Sequence, residues 1–155
     1  FKTNLSVVKS VINSNDKRSN LLLNKIIKIM NNNIKNKKIT FLGVTFKANT
    51  DDMRESSSIR MIPYLNKSGA KINYYDPTGR KTEFDKLKNV KFKDNIKEAC
   101  EYADLIIIHT EWNEFKLVDL KKVVKRKNFI VYDMRNIYSS EKMKKQKIKY
   151  FAIGK

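Results

Sequence analysis

Three short polar clusters in this chain hold the residue types that bind anions. The first, FKANTDDMRES (46–56), supplies Lys47 and Arg54, seven residues apart. The others are TEWNEF (110–115) and DMRN (133–136), the last carrying Asp133 and Arg135. A lysine meets phosphate as a point charge, whereas the planar arginine fork makes two parallel contacts. Ser56 reads as an N-cap, and the start of the helix behind it favours a nearby anion. Lys47 and Arg54 could equally pair with Asp51, Asp52 and Glu55 beside them in the loop. Arginine is scarce, six residues against twenty-eight lysines, so a retained Arg135 points to a need for bidentate geometry. The simpler reading of Arg135 is a structural pair with Asp133. Trp112 reads as an aromatic plug beside a helix cap.

Other chemistries find little support. No carboxylate pair, Ser/His/Asp set or metal-ligand spacing stands out, so no catalytic residue and no metal ligand is assigned. Cys100, in IKEACEYA, lies beside Ala99 on a helical pattern and reads as a small buried thiol. His109 is the single histidine, which excludes a His-rich metal site and leaves a strand-end residue. Asp76 stands where a dinucleotide-binding sheet carries its ribose acid. Without a glycine-rich fingerprint, YDPTG reads as a turn.

The elements that must hold these clusters follow from the hydrophobic pattern. Six short apolar runs read as strands: 38–43, 71–76, 90–92, 105–110, 129–133 and 149–154. Helical patterns lie between most of them, at 56–67, 94–103, 117–126 and 139–146, with a weaker one at 81–88. Pro63 should bend the first of these helices or end its first turn. A continuous run such as LIII suits a strand buried on both faces. Strand and helix in alternation give an α/β class: a doubly wound, mainly parallel sheet of about six strands. Ligands of such sheets sit beyond the carboxyl ends of the strands, where strand order reverses. The three clusters follow the first, fourth and fifth runs. Ahead of the sheet, residues 1–34 read as a helical segment with apolar stripes at Leu5, Val8, Ile12 and at Leu22–Met30. The polar SNDKRS at 14–19 marks a bend or a change of partner between them. The domains expected are therefore 1–34 and 35–155.

Composition narrows the class further. The hydrophobic share of 41% supports a sizeable core, and 4 Gly with 2 Pro argue against low complexity. No apolar run is long enough for a membrane helix, no secretory pattern opens the chain, and one cysteine suits a reducing compartment. A cytoplasmic location and no membrane partner are expected. The net charge of +18 comes mostly from lysines scattered evenly through the chain. It reads as a solvated surface rather than a nucleic-acid footprint. Phe1 in place of Met reads as a piece of something longer, or as a processed terminus.

At this point the residues resemble a known family. FLGVTFKANTDDMRESSS resembles the motif that opens the C-terminal UDP-binding domain of the UDP-glucose/GDP-mannose dehydrogenase family. In outline the motif is a strand followed by G-x-x-F-K-x-x-T-x-D-x-R-E-S. Gly43, Phe46, Lys47, Thr50, Asp52, Arg54, Glu55 and Ser56 fill its fixed positions. GAKINYYDP, ADLIIIHTEWNEF, YDMRN and FAIGK follow in the family's order. The T-E-W triplet favours the UDP-glucose 6-dehydrogenase branch. The likeness covers about residues 5–155 and implies a Rossmann-like fold.

It also implies roles. Lys47 would contact the phosphates or sugar of UDP-glucose (or of the product UDP-glucuronate), with Phe46 shaping the loop. Arg135 would join the UDP-sugar site, and Arg54 would reach an NAD held by a separate N-terminal domain. Residues 1–30 would end a long central helix that forms a dimer interface. The family oxidises its sugar in two NAD-reducing steps through a nucleophilic cysteine. That cysteine and the NAD glycine motif belong to segments not found in this sequence, and Cys100 matches the wrong segment. The chain alone is therefore expected to be inactive. Ser57–Ser58, where many bacterial members have Pro-Ala, and Asn113, where Pro is frequent, are departures bearing on specificity. The rival readings are a basic nucleic-acid-binding α/β module and a non-catalytic dimerisation fragment.

Overall fold

A computed structural model describes residues 5–154. Residues 1–4 and 155, and the side chains of 5–16, lie outside the described residues; the stripe expected at Leu5, Val8 and Ile12 falls there. The chain divides into two compact units, Phe1–Asn33 and Ile34–Lys155.

The first unit is one helix, α1 (Leu5–Ile29). It runs unbroken through Ser14–Ser19, so of the bend or change of partner expected there the bend is not found; those polar residues sit within continuous helix. The asparagine run stops it. Asn31 and Asn32 take left-handed φ of 52° and 59°, and the Asn32 amide donates back to the Ile27 carbonyl at 2.9 Å. Asparagine tolerates that conformation better than other L-residues with a side chain, and it closes a helix much as glycine does.

The second unit is a six-stranded sheet. Its strands are β1 (Lys38–Leu42), β2 (Lys71–Tyr75), β3 (Val90–Phe92), β4 (Leu105–Ile108), β5 (Ile130–Asp133) and β6 (Lys149–Ala152). The spatial order is β3-β2-β1-β4-β5-β6, and every pairing is parallel. Between strands lie α2 (Ser58–Lys67), a 3₁₀ turn (Thr82–Phe84), α3 (Ile96–Cys100), α4 (Asn113–Lys116), α5 (Leu120–Val123) and α6 (Ser140–Lys145). The weak helix expected at 81–88 is only that 3₁₀ turn. The pattern at 117–126 is only the single turn of α5, because Asp119 opens its cap there by accepting from the Lys121 amide; α4 ends just ahead of it, at Lys116.

Period-two burial fixes which face each strand residue serves. β4 is buried on both faces, as a central strand requires. Leu42, Ile106, Ile108 and Val131 share one face and pack with Cys100, Phe115 and Leu120. Ile39, Phe41, Ile72 and Tyr74 occupy the opposite face. The buried Met61, Ile62 and Leu65 form the inner side of α2, which runs on past Pro63 to Lys67. Fully burying one such side chain stabilises by about 1.5–3 kcal/mol. Among the described residues no helix is long and apolar enough to cross a membrane.

Candidate functional site at the carboxyl ends of β1, β4 and β5

The strand order reverses at β1, whose neighbours β2 and β4 are reached by crossovers in opposite directions, leaving a crevice beyond their carboxyl ends. A single glycine stands there, directly after β1 and ahead of the first cluster. Gly43 has φ +76°, and a Cβ there would stand 2.5 Å from Thr110 Cβ and 2.8 Å from its Oγ1. Only glycine allows the ends of β1 and β4 to approach this closely.

The loop from Val44 to Ser57 is wired internally. The Asp76 carboxylate accepts from the amides of Val44 (2.8 Å) and Thr45 (3.3 Å). Its other oxygen accepts from Thr78, through the amide at 3.0 Å and the hydroxyl at 2.6 Å. The Phe46 amide donates to the Asp52 carbonyl at 2.9 Å and pinches off a small inner loop. Asn49 and Glu55 turn it with φ of 62° and 60°. Ser56 and Ser58 both donate to the Val44 carbonyl at 2.6 Å. The cap position of α2 accordingly falls on Ser57 rather than Ser56, and the Ser57 hydroxyl makes no cap bond to the helix.

Arg135 gathers the three clusters. Its Nε donates to the His109 carbonyl at 2.7 Å and its Nη2 to the Phe46 carbonyl at 3.2 Å. One arginine from the β5 end thus holds both the β4 end and the β1 loop. Asp133 does not pair with its guanidinium. The buried Asp133 carboxylate accepts from the Arg135 amide (2.9 Å), the Tyr138 amide (3.0 Å) and the Tyr150 hydroxyl (2.9 Å), and so shapes the turn that aims Arg135. Burial and this carboxylate push the Tyr150 phenol well above its ordinary pKa. Glu111 Oε2 lies 3.0 Å from Arg135 Nε, so the charges attract. The Nε hydrogen, however, is directed at His109, and this buried oxygen has no hydrogen-bond donor.

The remaining candidates separate into two groups. Phe46 is 48% exposed, and Lys47 beside it is exposed with no ion pair to a described residue. Arg54 takes no part in the Arg135 network. Its guanidinium lies flat on Asp52, with Nε to Oδ1 at 3.0 Å and Nη2 to Oδ2 at 2.9 Å. The Arg54 hydrogen bonds hold the Asp52 carboxyl down at about 2. Trp112 stands at the cap position of α4 and packs on the core. Cys100 is fully buried, which pushes its thiol up to about 12 and makes it a poor nucleophile. Among the described residues no group of His, Cys, Asp and Glu could hold a metal ion.

Sequence reasoning passed over His109, Asp76 and Ser57 as organisers of the site. His109 is buried, and desolvation, with the Arg135 charge adding to it, depresses its ring to about 3, so it is neutral. The signal available was its position directly after LIII.

The sequence pattern of the UDP-glucose/GDP-mannose dehydrogenase family, UDP binding domain, matches residues 40–140. The chain belongs to that family. The matched span contains all three clusters. Among curated relatives, UDP-glucose 6-dehydrogenase of Rickettsia felis is 37% identical over 151 residues, covering 96% of this chain and 34% of the relative. That of Rhizobium meliloti is 34% identical over 154 residues, 99% of this chain and 35% of the relative. The chain thus spans about a third of the length of the curated relatives it matches. A solved UDP-glucose dehydrogenase from Pyrobaculum islandicum superposes with TM-score 0.72 at 21% identity, over 92% of this chain and 31% of its own. An NDP-N-acetyl-D-galactosaminuronic acid dehydrogenase from Methanosarcina mazei gives 0.73 at 22%, over 90% of this chain and 29% of its own. These likenesses establish the Rossmann-like fold.

Proposed function

We propose that this chain is the UDP-sugar-binding part of an NAD-dependent UDP-glucose 6-dehydrogenase, which oxidises UDP-glucose to UDP-glucuronate. The observation that carries the reading is that Arg135 ties the loop bearing Phe46 and Lys47 to the end of β4, at the strand-order reversal. Lys47 is the cation left for a phosphate, and Phe46 offers an exposed ring beside it. Arg135 holds the Phe46 carbonyl beneath that loop and presents the rest of its fork.

The crevice does not fit a dinucleotide of its own. Gly43 is the only glycine in the loop after β1, and Asp76 is engaged by the Val44 and Thr45 amides of that loop and not available to a ribose. In this reading NAD is held by the remainder of the enzyme. Arg54, exposed and tied among the described residues to the half-exposed Asp52, is this chain's reach toward it. The helix α1 contributes to a homodimer or higher oligomer, and the enzyme works in the cytoplasm.

The test is calorimetry of the chain with UDP, UDP-glucose and cytidine diphosphate. UDP and UDP-glucose should bind with matched preference over the cytidine analogue. Lys47→Ala should weaken both on the order of 1–3 kcal/mol, the range for a lost charge-assisted contact. Binding indifferent to the base and collapsing between two salt concentrations would overturn the proposal in favour of a general polyanion surface.

A further inference from the structure

The β1–α2 loop is fastened to β4 at two points twelve residues apart, and both fastenings meet in the dipeptide His109–Thr110. Ser57 Oγ lies 2.8 Å from His109 Nε2. His109 Nδ1 lies 3.2 Å from Thr110 Oγ1, and Thr110 Oγ1 lies 2.9 Å from the Thr45 carbonyl. Proton bookkeeping along this chain has one solution. A carbonyl only accepts, so the single hydroxyl proton of Thr110 goes to Thr45. Thr110 Oγ1 must then accept from His109, which places the ring proton on Nδ1. The ring is neutral, so Nε2 is a bare acceptor and Ser57 donates to it.

We propose that His109, held as its Nδ1–H tautomer, is the positioning residue of the UDP-sugar site. It locks the two ends of the loop that carries Phe46 and Lys47 into one directional hydrogen-bond chain, Ser57 to His109 to Thr110 to Thr45. The inference rests on the reading of the crevice as the UDP-sugar site, but its geometry does not. His109 touches no ligand in this scheme and acts only through the loop. The arrangement also gives the serine at position 57 a purpose that a proline there could not serve, since proline has no hydroxyl to donate. The packing around the ring explains why only a neutral group fits. Arg135 reaches the His109 carbonyl from β5, while Phe41 from β1 stands 6.2 Å from the imidazole, ring centre to ring centre. No carboxylate hydrogen-bonds to the ring among the described residues. Gly43 completes the device, because its missing Cβ is the space Thr110 occupies.

His109 is the only histidine, so ¹⁵N-detected imidazole spectra of the intact chain report this one ring without assignment. The expected spectrum at neutral pH has a protonated Nδ1 and an unprotonated Nε2. A ring protonated at Nε2, or one averaging between tautomers, overturns the chain of bonds whether or not UDP binds. Three variants then test positioning. His109→Phe keeps the bulk and removes both bonds, and should weaken UDP binding at least tenfold while the fold persists by circular dichroism. His109→Asn restores a donor at the Nδ1 place, and His109→Gln restores a polar group at the Nε2 place. Each should recover part of the lost affinity. Tight UDP binding by His109→Phe refutes the positioning role, whereas absent UDP binding in the parent chain with the expected tautomer refutes only the assigned ligand. Should His109→Phe fail to fold, Ser57→Ala removes one fastening from a half-buried position and should still weaken UDP several-fold. An unchanged affinity there refutes the proposal equally.

Discussion

Replacing Gly43 by alanine should be the most damaging one-methyl change in the sheet domain, for two separable reasons. The backbone at Gly43 has φ +76°, a conformation that costs an L-residue roughly 1–2 kcal/mol. The new Cβ would also stand 2.5 Å from Thr110 Cβ, far inside contact distance. Thr110 is fully buried and bonded to Thr45, so it cannot swing aside, and relieving such overlap costs about 1–3 kcal/mol more. The sum is on the order of 2–5 kcal/mol. Gly79 is the matched control, with φ +88° and nothing within 4 Å of an added Cβ. Gly79→Ala should show the backbone penalty alone. Urea unfolding of both variants beside the parent gives the two numbers, and their difference isolates the clash. In thermal melts each kcal/mol should appear as about 2–4 °C for a chain of this size. Equal destabilisation by the two substitutions would refute the close approach of β1 and β4, and with it the account of why this loop keeps one glycine.

Arg135→Lys keeps the charge but cannot span the His109 and Phe46 carbonyls; urea unfolding should show a loss of roughly 1–3 kcal/mol, with UDP affinity falling in parallel. Asp133→Ala strands the Arg135 and Tyr138 amides, while the Tyr150 hydroxyl keeps the Tyr138 carbonyl at 3.1 Å; it should destabilise by about 3 kcal/mol, whereas Tyr150→Phe should lose only about 1 kcal/mol by the same measure. His109 is held near 3 in the fold against about 6.5 in an unfolded chain, so between those values the unfolded state binds the extra proton. Its stabilising contribution is complete above pH 6.5 and is lost as pH falls toward 3. Denaturant melts across that window should show the parent losing up to ~1.4 kcal/mol per pH unit relative to His109→Gln. Arg54→Ala should leave the urea midpoint and UDP affinity of the chain unchanged, since its partner Asp52 sits at the surface of the loop; a drop in either would place Arg54 in the site.

The fold was open to reading because each strand announces itself by a short Ile, Val or Phe run, and each such run became a strand within two residues. The reversal rule sets the loops that carry Lys47 and Arg135 beyond the same ends of the strands. Polar wiring was less legible. Ser56 and Ser57 are the same residue type in adjacent positions, yet one points at the Val44 carbonyl and the other at His109. That choice is made by residues 12 to 52 positions away, which local spacing cannot express. The bend expected at 14–19 failed for a related reason. Polar residues in a helix interrupt a stripe without interrupting the backbone.

Asp76 carries a wider consequence. The acid that could mark a sheet of this order as a nucleotide binder is here part of the frame, holding Val44, Thr45 and Thr78 in place. A carboxylate so engaged cannot also serve a ligand. Anyone seeking to convert this domain into a dinucleotide carrier by grafting a glycine-rich turn after β1 would fail at that residue. The graft would redirect the Val44 and Thr45 amides and leave one carboxylate oxygen of Asp76 without its donors under the new loop. Two domains can thus share every strand and still be non-interchangeable, because their difference lies in whether one acid faces outward or inward.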